Sequence, residues 1–299
     1  MSLLTSILLL DKPLGLSSNA ALQKVRWLLG KPKAGHTGTL DPLATGMLPI
    51  CLGEATKFAG HLLLESKCYR ARVAFGVETA SGDRDGAQVA QAEVPLLTEA
   101  LVAPVLRRFV GDIEQIPPVY SAIKLDGVPL YKRARAGETL TVKPRQVHIE
   151  RIVLHGLGAD YIDIEVECGT GTYIRTLGMD IARALGSVGH LGALRRTWVS
   201  PFQQRPMATL ADVEAWAAAG QAAAPPWLLP VEEALAELPL IRLDAEDTLA
   251  VQQGRGCAAA GCLPGQYRLH DGDGGFFGLG QVEAGGRLRA RRLLATGTP

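Results

Sequence analysis

Apolar residues recur along this chain with two periods, and the switches between them outline its elements. Ile7-Leu8-Leu9-Leu10, closed by Asp11 and Lys12, is short and continuously apolar, which predicts a buried strand over about 6–11. A turn at Lys12-Pro13-Leu14-Gly15 follows, and Ser17-Ser18-Asn19 can cap a helix whose stripe is Leu22, Val25, Leu28 and Leu29. Residues 47–52 predict a second buried strand, 54–64 a helix, and 67–77 a strand with Tyr69, Ala71, Val73 and Phe75 on one face. Residues 98–110 read as a helix and 146–155 and 160–168 as strands, while Gly169-Thr170-Gly171-Thr172-Tyr173-Ile174-Arg175 opens a helix reaching about Leu185.

Helix and strand signals alternate irregularly and the strands return on themselves, so the expected class is α+β, with a mixed, largely antiparallel sheet. The first strand is not followed by a Gly-rich phosphate loop, which argues against a doubly wound sheet. Pro117-Pro118 opens an excursion over about 117–146 that includes Asp126-Gly127 and an expected basic helix at 131–136. Ala, Gln and Pro dominate 217–230, which reads as a linker or a short helix at a domain seam. Beyond residue 238, Gly-separated apolar runs at 266–270, 276–281 and 288–294 predict a small β-rich module, with Asp271-Gly272-Asp273-Gly274 as a hairpin turn rather than a calcium loop. The division is therefore 1–237 and 238–299.

Composition narrows the class. The chain is 47% hydrophobic and 20% charged, and no apolar run approaches the roughly 20 residues of a membrane span, so a soluble protein without membrane association is expected. Its five cysteines are scattered without C-x-x-C spacing or paired histidines, so neither a disulfide framework nor a metal site is indicated and reduced, cytoplasmic thiols are expected. The formal net charge of +1 gives no global argument for a nucleic-acid partner. Locally, basic residues concentrate at Lys24, Arg26, Lys31 and Lys33; at Lys132, Arg133, Arg135, Lys143 and Arg145; at Arg195-Arg196; and at Arg287, Arg289, Arg291 and Arg292. Their placement beside candidate site elements suits contacts to a polyphosphate.

The chemistry centres on Gly35-His36-Thr37-Gly38-Thr39-Leu40-Asp41-Pro42-Leu43-Ala44-Thr45-Gly46. Glycines let backbone approach a ligand, Pro42 stiffens the chain after Asp41, and His36 and the threonines supply polar edges around a single carboxylate. Arg175 offers a planar fork that could hold such a carboxylate ionised and oriented. Tyr69 reads either as core or as a platform for a base with its phenol in the site. Asp83 and Asp85 sit in a Gly-rich loop and read as turn residues.

The glycine-rich string closely resembles the catalytic motif of the TruB family, the tRNA pseudouridine-55 synthases. Further blocks match in the same order: Asp11 to Ser18, Lys67-x-Tyr69, Gly111 to Lys124 with its Gln115-x-Pro117-Pro118-x-Tyr120 centre, and Gly171-Thr172-Tyr173-Ile174-Arg175. The resemblance implies Asp41 as nucleophile, Tyr69 stacked on the target base and Arg175 paired with the Asp carboxylate. It implies that His36 fills or stabilises the place a flipped base leaves, and that Lys12, Asp83, Tyr173 and Leu194 line the pocket. It further implies a thumb over about 117–146, a PUA-like C-terminal module, and a monomer acting on the T arm of tRNA without metal or small-molecule cofactor. Two departures stand out: Thr79-Ala80-Ser81 replaces the usual Thr-Asp-Thr, and Gly169-Thr170 replaces a more usual Ser-Lys.

The implied reaction breaks the N1–C1′ bond of uridine and rejoins the base through C5, with the carboxylate attacking either C1′ or C6. Two other readings share features of this chain: an RNA-binding or RNA-folding protein with a vestigial site, and a carboxylate-based glycosidase. The glycosidase needs a paired acid about 5–10 Å from the first, and the motif blocks supply no clear second carboxylate.

Overall fold

The structure, a computed structural model, describes residues 5–62, 66–120, 124–125, 127–130, 133, 138, 142–221 and 223–295. In chain order the first half comprises β1 (Ser6–Lys12), α1 (Ser18–Leu28), β2 (Ala34–His36), β3 (Ala44–Leu52), α2 (Ala59–Leu62), β4 (Lys67–Phe75), β5 (Val77–Thr79), β6 (Gln88–Gln91), α3 (Glu99–Arg107), β7 (Gly111–Gln115), β8 (Lys124–Leu125) and β9 (Val128–Pro129). The second half comprises β10 (Arg145–Leu157), β11 (Tyr161–Cys168), α4 (Ile174–Ala184), β12 (Gly189–Val199), α5 (Leu210–Ala218), β13 (Leu228–Pro230), β14 (Leu240–Arg242), α6 (Ala245–Gln252), β15 (Cys257–Ala258), β16 (Gly265–His270), β17 (Phe276–Val282) and β18 (Arg287–Leu293).

The large sheet runs in the order β13-β1-β3-β12-β4-β11-β10-β7, with β2 paired to β3. All its pairs are antiparallel except β3 and β12, which run parallel at the centre. The period of two explains why β1 is apolar throughout. Leu8 and Leu10 enter a core shared with α1, α3 and α4, whereas Ile7 and Leu9 face a second core with Met47, Cys51, Phe58 and Phe202. In β4 the expected face is buried at Tyr69, Ala71, Val73 and Phe75, and Arg70 and Arg72 on the other face pair with Glu165 and Asp163 of β11.

A second sheet, β14-β16-β17-β18-β15, encloses its own cluster of Leu243, Val251, Tyr267, Leu269, Phe277, Val282 and Leu288. It is not insulated from the first. Leu279 of β17 is buried in the core that also holds Ile7, Met47 and Phe58, and Phe58 and Phe276 pack with ring centroids 5.9 Å apart. Glu232, ahead of β14, binds both Arg268 and His270 of β16.

The mixed, largely antiparallel α+β architecture and the β-rich C-terminal module are therefore present. Several local expectations are corrected. Over its described part, to residue 62, the helix expected at 54–64 is a 3-10 turn, Gly53–Phe58, continuing into the single turn of α2; the Thr56 hydroxyl folds back and donates to Gly53 O at 2.7 Å, which favours the tighter turn. The seam at 217–230 is neither linker nor helix throughout: β13 completes the edge of the large sheet on β1, with Trp227 buried behind it. The basic helix expected at 131–136 falls largely outside the described residues.

Candidate active site

The chain from β2 to β3 is pinned at several points. His36 pairs with Ile50, Thr37 N–H donates to Pro49 O at 3.0 Å, and Gly15 N–H donates to Pro42 O at 2.8 Å. Ser18, the first residue of α1, both accepts from Leu40 N–H (2.8 Å) and donates to Leu40 O (3.0 Å). Asp41, the next residue, is thereby fixed in direction before Pro42 limits its backbone further.

The Asp41 carboxylate meets Arg175 of α4, whose Nε lies 3.0 Å from Asp41 Oδ2. The arginine itself is almost fully buried. Its two terminal nitrogens donate to Ser81 O (2.7 Å) and Tyr120 O (2.8 Å), so three segments of chain orient the fork. The asymmetry of exposure, 6% for the arginine side chain against 39% for Asp41, leaves the carboxylate facing a cavity of about 270 Å³ while its partner is held from behind. Burial raises the Asp41 pKa above the ordinary carboxylate value; Arg175 and, more weakly, Lys12 oppose that rise, and Asp83 adds to it.

Tyr69, Tyr173, Leu194, Lys67 and the Gly169–Thr172 turn line the same cavity with Asp41 and Arg175. Tyr173 caps α4 without a side-chain cap bond; instead the buried Gln115 amide brackets its backbone, accepting from Tyr173 N–H at 3.0 Å and donating to Tyr173 O at 3.4 Å. Burial raises the Tyr69 phenol pKa, so it stays protonated at neutral pH.

Two of the four residues expected to line the cavity do so, Tyr173 and Leu194; the other two stand behind it. Lys12 is fully buried, its ammonium donating to Pro13 O (2.9 Å) and Leu16 O (2.6 Å), and burial lowers its pKa to about 8. Asp83 is buried 3.8 Å from a terminal nitrogen of Arg175 and accepts from Ser81 Oγ at 2.6 Å, so Ser81 holds Asp83 even though the middle residue of Thr79-Ala80-Ser81 is not acidic. His36 lies beside the loop, with Nδ1 buried and unpaired and its pKa lowered by burial and by Arg196, which keeps the ring neutral. Among the described residues no group of three metal-ligating side chains stands together.

The basic pair Arg195-Arg196 does not form an open phosphate patch. Arg195 makes a bidentate pair with Asp11 (2.9 and 2.7 Å), and Arg196 is buried inside β12 and lines the Asp41 cavity. Arg196 stands in the cavity wall while Gln115 and Ser81 buttress Tyr173 and Arg175; the sequence reading gives Arg196 only a phosphate contact, and Gln115 and Ser81 only places in motif blocks.

The overall fold, large sheet and C-terminal module together, is shared with solved structures. The chain aligns with a chain of the crystal structure of a Cbf5-Nop10-Gar1 complex (TM-score 0.71, 25% identity, 94% of this chain and 79% of that one). It also aligns in fold with a chain of an H/ACA RNP bound to a substrate RNA containing 2'-deoxyuridine (TM-score 0.73, 24% identity, 97% and 85%). Family comparison defines the class as pseudouridylate synthase: residues 26–174 match the N-terminal domain of TruB family pseudouridylate synthases. Residues 175–236 match the tRNA pseudouridylate synthase B C-terminal domain, and 239–294 match the C-terminal region of pseudouridine synthase II TruB. The chain belongs to the TruB family. Proteins named tRNA pseudouridine synthase B from Aromatoleum aromaticum and Xanthomonas axonopodis pv. citri are each 47% identical over 97% of this chain, covering 92% and 94% of their own lengths. The protein of that name from Thiobacillus denitrificans is 47% identical over the same share, covering 96% of its length.

Proposed function

We propose that this protein isomerises uridine to pseudouridine at position 55 in the T loop of tRNA, with Asp41 as the nucleophile. The observation that carries the reading is the Asp41 carboxylate, half open to a nucleoside-sized cavity and clamped from behind by a buried arginine at 3.0 Å. The names of the relatives support the substrate class.

The geometry suits the chemistry. A uridine inside a structured loop must leave its stack, at a cost of a few kcal/mol, and stacking on Tyr69 would return about 1–3 kcal/mol. Asp41 then attacks C1′ or C6. The N1–C1′ bond breaks, the base turns while held between Tyr69 and the cavity wall, C5 bonds to C1′, and the bond formed by Asp41 breaks to return the free carboxylate. The C5 proton is lost and N1 gains one, so the reaction is an isomerisation without net electron transfer. Arg175 keeps Asp41 ionised and aimed during attack, and the closed rear wall excludes water that would intercept a detached base. His36 fills the gap left in the loop, and Lys12 and Asp83 act by tuning the charge around the Asp41–Arg175 pair.

Grip on the RNA comes from elsewhere in the chain. Residues 1–237 form the catalytic part, the insertion at about 117–146 serves as a thumb on the RNA, and residues 238–299 form a PUA-like module reaching the far part of the tRNA. Exposed Arg287, Arg289, Arg291 and Arg292 along β18, with Lys24, Lys31 and Lys33, suit phosphate contacts. Each such contact makes log K fall by about 0.7–0.9 per tenfold rise in salt. The protein acts as a cytoplasmic monomer.

The direct test is incubation of an unmodified tRNA transcript with the purified protein, followed by position-specific pseudouridine mapping. Product at position 55 supports the reading. Tight tRNA binding with no product would favour an RNA-binding protein with a vestigial site.

A further inference from the structure

Arg196 is the most conspicuous side chain that the proposed chemistry leaves without work. It sits in the central strand at 1% exposure, and among the described residues no carboxylate pairs with it. A buried guanidinium without a counter-ion is costly, and an apolar side chain of similar volume would ordinarily serve a strand interior better. Its hydrogen bonds go to neutral groups, two backbone carbonyls and the Tyr69 phenol. Nε donates to Met47 O at 2.7 Å and NH2 donates to Gly38 O at 3.3 Å.

Those contacts have a pattern. Gly38 and Gly46 bracket the segment that carries Asp41. The Arg196 side chain holds the first end, and a Cβ added to Gly38 would lie 3.1 Å from NH1. The Arg196 backbone holds the other end: Gly46 is its parallel partner, with φ +98°, and a Cβ there would fall 2.1 Å from Arg196 O. On its other side, Arg196 is the direct cross-strand partner of Tyr69. Both side chains are buried and line the catalytic cavity. Paired cross-strand residues on one face are within side-chain contact of each other.

We infer that Arg196 is a positioning residue for the isomerisation, a rigid spacer that sets the distance between the Asp41 loop and the Tyr69 platform. This inference rests on the catalytic reading above. A planar fork reaches Met47 O and Gly38 O at once while it stays beside Tyr69; a lysine ammonium, a point donor on a flexible stem, cannot reproduce that span. The neighbouring charges fit the role, since Arg196 also acts on Lys12 and His36 and so belongs to the field around Asp41.

The test uses the full-length protein with Arg196→Lys, which keeps the charge, and Arg196→Met, which keeps most of the volume. Misplacing a reacting pair by about 1 Å can cost on the order of 100-fold in rate, so single-turnover pseudouridine formation should fall about 10- to 100-fold in both variants. Affinity for a tRNA transcript should stay within about threefold, because the substitutions leave the phosphate-binding surface intact. In a Tyr69→Phe background the same substitutions should cost less than in the wild type, showing that the two residues act as a unit. A second readout needs no turnover: in protein labelled with 3-fluorotyrosine, the 19F resonance assigned to Tyr69 by its loss in Tyr69→Phe should move in the free Arg196 variants. Equal rate penalties in the wild-type and Tyr69→Phe backgrounds, or an unmoved Tyr69 resonance in folded variants, would overturn the inference. Failure of the wild type to form pseudouridine would sink the catalytic reading alone, and the resonance would still decide whether Arg196 sets Tyr69.

Discussion

Arg175 Nε lies 3.0 Å from Asp41 Oδ2, yet the arginine is almost fully buried and the carboxylate only partly so. In the proposed reaction one partner is scaffold and the other is reagent. Asp41→Asn should therefore abolish pseudouridine formation in single-turnover assays while tRNA affinity, measured by filter binding, changes no more than a few-fold. Product at the wild-type rate from this variant would remove Asp41 from the mechanism.

The same pair sets a pH dependence. Asp41 must be ionised to attack, and burial has raised its pKa, so the rate should fall with acidity at a pH above that of an ordinary carboxylate. Arg175 lowers the Asp41 pKa and Lys12 lowers it less. Arg175→Gln should move the acid limb of the rate profile upward, and Lys12→Met should move it upward by a smaller step. A limb that stays put in both variants would show that another group titrates.

Gly46 and Gly35 separate backbone necessity from mere motif membership. Gly46→Ala combines a positive φ with a backbone clash, and should cost about 2–4 kcal/mol in chemical denaturation. Gly35→Ala meets nothing within 4 Å and should leave the denaturation midpoint nearly unchanged. The reverse ranking would contradict the packing of the loop against β12.

Gln115→Leu removes both hydrogen bonds that hold the Tyr173 backbone at the start of α4. An unsatisfied buried N–H costs about 1–3 kcal/mol, so the melting temperature should drop. Because Tyr173 lines the cavity, KM for tRNA should rise with it. Lower stability with an unchanged KM would confine Gln115 to the fold.

Much of this architecture was legible from period and punctuation. β1, β4, β11 and the start of α4 follow their apolar patterns, and the Asp41 loop announces itself through Gly and Pro. β12 was not legible, although it is the central parallel strand. Gly189, Gly192 and Arg195-Arg196 interrupt the alternation expected of a buried strand, and adjacent arginines read as surface. Only tertiary contacts reveal that Asp11 neutralises Arg195 and that backbone carbonyls receive Arg196. β13 was hidden for a similar reason: three residues gain strand geometry only from pairing with β1. Lys12 and Asp83 show the limit of motif reading, which expected them to line the pocket, whereas both are buried outside its lining.

Leu279 is a small feature with a broad consequence. By placing one side chain of the C-terminal ribbon into the core that Ile7, Met47 and Phe58 also occupy, the chain joins its tail to the underside of the strand that leaves the Asp41 loop. Removing the tail would strip a cover from that core as well as removing arginines, so truncation cannot cleanly separate grip from chemistry. Heating should melt both sheets in one cooperative calorimetric transition, and a mutation at the distal end of the molecule can reach the reaction through loss of rigidity alone.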